Sequence, residues 1–196
     1  MRTINTGECP CCHKEPLKSV DDLPADIQIR LIPGGDLAGV NLPVDVDMSN
    51  IDLSGANMAG AHFGRSDLTG ANMAGANLAG ANMPDKMAGA NLAGANLAGA
   101  NMPKSNLSGA NLTGAILSGA NMSGVDLTGA NLTNAILSGA NTVGVEISGT
   151  IFDGATLLRT SVAKRIESES IEQEEPEQEQ DSREPSRLEM WRRRHR

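Results

Sequence analysis

Large apolar residues recur every five positions along most of the chain, from Leu37 to Val162. The copies at 90–94 and 95–99 both read Ala-Asn-Leu-Ala-Gly. We call the large apolar residue position i. Position i−2 is then nearly always Ala, i−1 is usually Asn or Asp, i+1 is Ala, Ser or Thr, and i+2 is Gly. Two apolar positions thus alternate with polar or small ones inside a five-residue period.

A period of five fits neither an α-helix nor a flat strand, because an apolar row with this spacing would drift around either element. The repeat requires a backbone corner once per pentad. Gly at i+2 allows the positive φ that such corners often need, and Asn can bond to nearby backbone. Four corners close a coil of about 20 residues, and coils stacked about 4.8 Å apart can pair as strands do. Positions i and i−2 then point inward, and the Asn side chains at i−1 can form amide ladders on the outside.

The period slips twice. Six residues separate Leu42 from Met48, and four separate Met83 from Met87. With four pentads per coil, the sequence predicts four inward columns. These are Met48, Leu68, Met87, Leu107, Leu127 and Ile147; Leu53, Met73, Leu92, Leu112, Leu132 and Phe152; Leu37, Met58, Leu78, Leu97, Leu117, Leu137 and Leu157; and Leu42, Phe63, Met83, Met102, Met122, Thr142 and Val162.

This repeat resembles that of the pentapeptide-repeat family, whose motif is A(N/D)LXX. The resemblance covers the successive pentads between Leu37 and Val162. It implies an all-β fold, a right-handed quadrilateral β-helix. The periodicity by itself predicts the corners and the stacking, and the handedness comes from the resemblance.

The segments on both sides of the repeat lack the period. We expect a flexible, cysteine-rich segment at 1–20, a helical cap at 21–35, the repeat at 36–162 and a second cap helix at 163–175. Residues 167–184 contain nine acids and one Arg, so 176–196 is predicted to be a disordered charged tail.

The N-terminal cap is predicted from helix signals between 21 and 32. Asp21 or Asp22 can cap a helix there, and Pro24 would lie in its first turn. Alternation over 27–31 leaves a strand as the alternative. The apolar stripe of the helix would be Ile27, Leu31 and Ile32.

A cysteine cluster precedes this cap. Cys9 and Cys12 have the C-x-x-C spacing of zinc ligands, and Cys11 or His13 could add to them. The alternative is a flexible reduced cluster, which the sequence favours because no second Cys/His pair lies elsewhere. The run also matches the C-x-x-C-H haem attachment signature. Haem attachment is not expected, because it normally follows export and the sequence shows no export signal.

Two outer features are candidate partner-binding sites. The first is a ridge on the fourth face, where the chain is irregular; it comprises Pro84, Asp85, Lys86, Pro103 and Lys104. The second is an apolar stripe on the third face. Ile116 and Ile136 replace Asn at i−1 and are 20 residues apart, so they should stack, with Leu158 nearby. The stripe would dock a protein partner or a second copy.

Composition and motifs predict a non-catalytic protein. The three histidines lie far apart, the Gly-rich text lacks a phosphate-loop ending, and no apolar run could span a membrane. We therefore expect a cytoplasmic scaffold that binds a protein partner. The alternatives are a DNA mimic that binds and protects gyrase, which the family resemblance implies, and a structural component of a larger particle or effector. The coil exterior offers eight acids against four bases. That is weak for DNA mimicry, and direct nucleic-acid binding by the solenoid is not expected.

Overall fold

The computed structural model describes residues 18–43, 45–164 and 166. The chain divides into two compact units, 1–163 and 164–196. Nearly all the described residues belong to the first unit; of the second, residues 164 and 166 are described and both are helical. Within the described ranges, no helix is long and apolar enough to cross a membrane.

Each pentad ends in a tight four-residue turn. In one copy the N–H of Ala76 donates to the carbonyl oxygen of Met73 over 3.1 Å. Gly75, the third residue of this turn, has a φ of 67°, a conformation that costs residues with a Cβ about 1–2 kcal/mol. Asn50 and Asn134 occupy the same position of other turns with φ of 57° and 58°, because Asn tolerates this region better than most residues. The corner predicted at i+2 is therefore confirmed.

Successive coils pair through parallel backbone hydrogen bonds. The N–H of Leu97 donates to the carbonyl of Ile116 over 2.7 Å, and the N–H of Ile116 donates to the carbonyl of Ala95 over 2.9 Å. Residues that pair across coils are 20 apart in most of the solenoid, as in Asn111 with Asn131. They are 19 apart across the deletion, as in Asn82 with Asn101. The predicted coil of about 20 residues and its four columns are confirmed.

The core is a narrow row of side chains inside the coils. Column residues such as Phe63 and Leu97 are fully buried, and so are the alanines at i−2 beside them. The small Ala leaves room for the larger residue at i, which explains why only these two positions are steadily apolar. In the last coil the column residues Ile147, Phe152 and Leu157 are only half-buried, since no further repeat follows them.

The N-terminal cap differs from the predicted helix. Strand β1 (Lys18–Ser19) pairs in parallel with β2 (Val46–Asp47), so ordered structure begins before the predicted boundary at 21. A 3₁₀ turn at Val20–Asp22 and a short helix α1 (Ala25–Gln28) replace the helix over 21–32.

Local hydrogen bonds explain this shorter cap. The N-cap of the 3₁₀ turn is Ser19, not Asp21 or Asp22, and Pro24 precedes α1 instead of lying in its first turn. The side-chain amide of Gln28 donates to the carbonyls of Asp21 and Leu23 over 2.7 and 2.6 Å, which folds the segment back on itself.

The cap buries one residue that the helical pattern did not single out. Leu23 is 4% exposed, whereas Ile32, which was predicted to belong to the apolar stripe, is 52% exposed. The apolar stripe predicted at Ile27, Leu31 and Ile32 is therefore wrong at Ile32; the other two are half-buried.

Hydrogen bonds to the side chain of Thr142 hold the C-terminal end of the first unit. Residues 161–164 form a helical turn. The hydroxyl of Thr142 lies 2.9 Å from that of Ser161 and accepts the N–H of Val162 over 3.3 Å. Val162, the last member of its column, is buried. Most of the helix predicted at 163–175 and the whole tail at 176–196 lie outside the described residues.

Candidate interaction surfaces

Side chains at i−1 point outward and form one row on each side of the coil. We number these faces 1 to 4, and we number the coils 1 to 6 by their face 1 residue, from Asp47 onward. A corner residue takes the number of the face 1 residue that follows it. The rows are Asp47, Asp67, Lys86, Asn106, Asp126 and Glu146 on face 1; Asp52, Asn72, Asn91, Asn111, Asn131 and Ile151 on face 2; Asp36, Asn57, Asn77, Asn96, Ile116, Ile136 and Thr156 on face 3; and Asn41, His62, Asn82, Asn101, Asn121 and Asn141 on face 4.

Asparagines on faces 2, 3 and 4 form the amide ladders that the sequence predicts. The Nδ2 of Asn77 donates to the Oδ1 of Asn57 over 3.1 Å, and Asn96 donates to Asn77 over 3.2 Å. Most of these Oδ1 atoms also accept the backbone N–H two residues on, as Asn77 does from Ala79 over 3.3 Å. Asn82 and Asn101 do not, because the residue two positions on is a proline without an N–H. The ladder thus braces the turn as well as the stack.

These ladders have a direction. Where Oδ1 is held by the turn, Nδ2 is left to donate toward the preceding coil, so the first residue of the ladder must accept. Asp36 accepts from Asn57 and Asp52 accepts from Asn72, over 3.0 and 2.9 Å. On face 4 the Nδ1 of His62 lies 2.8 Å from Nδ2 of Asn82. His62 takes here the place that Asp36 and Asp52 take on the other two faces. A structural role thus accounts for the only described histidine.

Face 3 changes character after coil 3. Ile116 pairs with Asn96 and Ile136 through the backbone, and Ile136 pairs with Thr156, so the predicted stacking is confirmed. The two isoleucines are 38% and 40% exposed, and Leu158, in the turn that follows Leu157, is 67% exposed. The Asn ladder of this face therefore stops where an apolar stripe begins.

Face 1 and the corner that leads to it from face 4 carry most of the charge. The corner presents Asp45, Arg65, Asp85 and Lys104, and we call this corner together with face 1 the charged face. Pairing differs along the axis, because both ion pairs of this face occur in the first three coils.

Two ion pairs link coils on the charged face. Arg65 donates from Nε to the Oδ1 of Asp45 over 3.1 Å, and this hydrogen bond, with a smaller contribution from Asp85, raises the pKa of the guanidinium. Lys86 donates from Nζ to the Oδ2 of Asp67 over 3.2 Å. Burial raises the pKa of Asp67, but hydrogen bonds from Thr69 and the charge of Lys86 outweigh it, so the net pKa is lowered.

The predicted ridge of Pro84, Asp85, Lys86, Pro103 and Lys104 lies on this charged face. Asp85, Lys86, Pro103 and Lys104 are exposed, as a contact surface requires. Pro84 is buried, so it is removed from the predicted contact residues. Its carbonyl accepts the hydroxyl of Ser105 over 2.8 Å. At the deletion, Pro84 is therefore part of the buried, hydrogen-bonded structure of the coil and not of its outer surface.

One inward row was missed by the sequence reasoning. On faces 2, 3 and 4 position i−2 is mostly Ala, but on face 1 it is never Ala. Ser66 and Ser105 are fully buried here, and the hydroxyl of Ser66 has no hydrogen-bond partner. The sequence does contain this signal, because a comparison of the i−2 residues at steps of about 20 positions separates this row from the other three. Its members are Val46, Ser66, Asp85, Ser105, Val125 and Val145, of which only Asp85, at the deletion, is exposed.

The predicted zinc ligands Cys9, Cys11, Cys12 and His13 lie outside the described residues. Within the part that the structure describes, no group of three or more His, Cys, Asp or Glu side chains could hold a metal ion. The hydroxyls at i+1 have structural partners where they border an Asn: Thr113 and Thr133 donate to the Asn two residues earlier over 2.7 and 2.6 Å.

Stacked parallel coils, a tight turn every five residues and a narrow column core define a solenoid repeat protein. Eight copies of the model for pentapeptide repeats match the chain, over residues 47–83, 90–129 and 126–160. The chain therefore belongs to the pentapeptide-repeat family.

Solved structures similar to this chain come from the same family. HetL from the cyanobacterium Nostoc sp. strain PCC 7120, a protein involved in heterocyst differentiation regulation, is 29% identical; the match covers 67% of this chain and 70% of HetL, with a TM-score of 0.43. Rfr23 from the cyanobacterium Cyanothece 51142 is 28% identical over 64% of this chain and 88% of Rfr23, with a TM-score of 0.32.

A third similar structure is QnrB1, a plasmid-mediated fluoroquinolone resistance protein. It is 22% identical over 64% of this chain and 77% of QnrB1, with a TM-score of 0.36. A search of curated proteins found no match.

Proposed function

We propose that this protein is a non-catalytic scaffold that presents fixed surfaces to a protein partner. The observation that carries the proposal is the stripe of Ile116 and Ile136, exposed on a face that otherwise bears an amide ladder. We further propose that the solenoid has the right-handed quadrilateral form and works in the cytoplasm.

Rigidity supports a docking role. The backbone next to the stripe is paired on both sides: Leu117 N–H donates to the carbonyl of Ile136 over 2.7 Å, and Leu137 N–H donates to that of Thr156 over 2.8 Å. A surface held in this way loses little conformational entropy when a partner binds, so more of the contact energy remains as affinity.

The chemistry of the stripe supports the same role. An amide at position 116 or 136 could continue the ladder from Asn96, so each Ile gives up a hydrogen bond that the face is built to make. It also leaves part of an apolar side chain in water. Covering that surface with a partner is favourable, since burying apolar area contributes about 25 cal/mol per Å².

Affinity capture from the source cell tests this proposal. We expect the Ile116→Asn/Ile136→Asn variant to retain partner proteins at least about tenfold less than the wild-type chain, because the loss of a central apolar contact costs more than about 1 kcal/mol for each of the two residues. The matched control is Ile151→Asn, which changes an exposed Ile at i−1 on face 2.

The control must capture the same proteins as the wild type, and all three chains must melt at similar temperatures by circular dichroism. Equal capture by the double variant and the wild type would reject the stripe as the docking site. If the control lost the partners as well, the effect would not belong to face 3.

The gyrase-binding alternative has less support. DNA carries one charge per about 1.7 Å of its axis. On this solenoid the i−1 rows of faces 2, 3 and 4 are mostly neutral, and the acids of face 1 are interrupted by Lys86 and Asn106. A supercoiling assay with purified gyrase tests this alternative, and no effect at micromolar protein would remove it.

A further inference from the structure

Charge is concentrated on one side of the solenoid. Residues 36–163 include thirteen charged side chains, and nine of them lie on the charged face. The other four are Asp36, Asp52, Asp153 and Arg159. Asp36 and Asp52 start amide ladders, so their place has a structural cause. The concentration of the remaining charge on a single side calls for a separate explanation.

The charges of coils 4 to 6 on this face have no ion pair within the described part of the chain. Both ion pairs of the face, Arg65 with Asp45 and Lys86 with Asp67, lie in coils 1 to 3. Lys104, Asp126 and Glu146 follow in the next three coils.

Lys104 is also held in an unfavourable conformation. Its φ is 61°, in the left-handed region that Gly occupies in most other turns. Its Cγ lies 3.3 Å from the place where a Cβ on Gly124 would be, so the side chain runs along the corner toward coil 5. No ion pair of this side chain within the described solenoid offsets the cost of that conformation.

The order of these charges along the axis is self-complementary. Apart from Asp85 at the corner, the charges of coils 3 and 4 are positive: Lys86, which also pairs with Asp67, and Lys104. Those of coils 5 and 6, Asp126 and Glu146, are negative. Successive coils are about 5 Å apart. A second copy turned end for end would place its acids opposite these lysines, in the same order and at the same spacing.

We propose that the charged face binds a second copy of this chain in an antiparallel, two-fold arrangement. Lys86 would face Glu146 of the second copy, and Lys104 would face its Asp126. Two-fold symmetry repeats each pair, which gives four ion pairs in all. This proposal is independent of the stripe on face 3.

The available area sets the strength of this association. Only coils 3 to 6 of the two copies overlap in this arrangement, so the contact is about 20 Å long and about 10 Å wide, or roughly 200 Å² per copy. Stable interfaces bury about 800 Å² per partner. The dimer should therefore be weak, form only at high protein concentration and be sensitive to salt, because exposed charges are screened beyond about 10 Å at 0.1 M salt.

Charge reversal tests the proposal. At about 0.02 M salt, the average mass from sedimentation equilibrium should rise from 20.4 kDa toward twice that value as the concentration of the wild-type chain increases. The Lys86→Glu/Lys104→Glu variant and the Asp126→Lys/Glu146→Lys variant should each remain at 20.4 kDa. An equimolar mixture of the two variants should associate at least as strongly as the wild type.

Rescue in the mixture shows that both variants are folded, since unfolded chains could not recover a specific contact. Raising the salt to about 0.5 M should disperse the wild-type dimer and the mixed dimer alike. A wild-type chain that stays monomeric at low salt, variants that still dimerise alone, or a mixture that does not associate would each overturn the proposal.

The Ile116→Asn/Ile136→Asn variant separates this proposal from the proposed function. It should dimerise as the wild type does. If it became monomeric, the association would belong to face 3, and the charged face would be rejected as the contact.

Discussion

At the scale of the residue, we predict opposite changes in stability when two buried serines of the same inward row are replaced. Ser66 and Ser105 both lie at i−2, where the other faces mostly carry Ala, and both are fully buried. The hydroxyl of Ser105 donates to the carbonyl of Pro84, whereas that of Ser66 has no partner. An unpaired buried hydroxyl costs about 1–3 kcal/mol, and a satisfied one contributes about 1 kcal/mol.

We therefore expect Ser66→Ala to raise the free energy of unfolding by about 1 kcal/mol and Ser105→Ala to lower it by a similar amount. Urea denaturation followed by circular dichroism measures both, and each variant is the control for the other, because both introduce the residue that is usual at i−2. A loss of stability in both variants would show that the hydroxyl of Ser66 has a partner in solution.

At the scale of the element, the amide ladder makes the next prediction. Asn77→Ala removes three hydrogen bonds, to Asn57, from Asn96 and from the N–H of Ala79. Each contributes about 0.5–1.5 kcal/mol net, so the free energy of unfolding should fall by about 1.5–4.5 kcal/mol.

Ile116→Asn is the counterpart, because the new amide can donate to Asn96 and accept from the turn. Its stability should match the wild type within about 0.5 kcal/mol or exceed it. Thermal and urea melts of both variants test the pair. A strong destabilisation by Ile116→Asn would mean that the stripe serves the fold and not a partner.

The regular elements were predictable because one steric rule repeats. A corner every five residues leaves two inward positions, and Ala beside Leu or Met fills them, so the spacing of these residues is enough to assign the columns. The N-terminal cap was harder. Its apolar spacing fits a helix, but Pro24 and the back-bonded side chain of Gln28 limit the helix to one turn, and the need to pair β1 with β2 overrides local preference.

The surfaces were predictable only in part. The stacking of Ile116 and Ile136 followed from their 20-residue separation. The charged face was missed because the i−1 positions, apart from those of Ile116 and Ile136, were not aligned across coils, although they hold the same period. The burial of Pro84 could not be predicted, because it depends on the path of the backbone where Met83 and Met87 are four residues apart instead of five.

At the scale of the whole molecule, stability is a sum over coils, because each coil contacts only its neighbours. Ionised carboxylates contribute to that sum in coils 1, 2 and 5. Backbone and hydroxyl hydrogen bonds from Ser54 lower the pKa of Asp52, and those from Thr128 lower the pKa of Asp126. The pKa of Asp67 is lowered as well. All three lie below the usual value of 3.8.

These lowered pKa values determine the direction in which the stability of the fold changes with pH. Near and below pH 3.8 the unfolded chain binds more protons than the folded one, so acid favours unfolding. The stabilisation is complete above the unfolded pKa and is lost as the pH falls through the folded pKa values. The urea midpoint should therefore stay level from about pH 7 to 5 and decline below about pH 4.

The double variant Asp52→Asn/Asp126→Asn isolates the cause of this decline. Asn keeps a side-chain oxygen for the turn, as it does in most pentads, but it does not titrate. The urea midpoint of the variant should therefore fall less steeply than that of the wild type between about pH 4 and 2, while the two should agree more closely near pH 7. If both chains lost stability equally in acid, these turn carboxylates would not be the groups that link protonation to unfolding. The acid sensitivity would then come from other acidic residues or from charge repulsion across the whole solenoid.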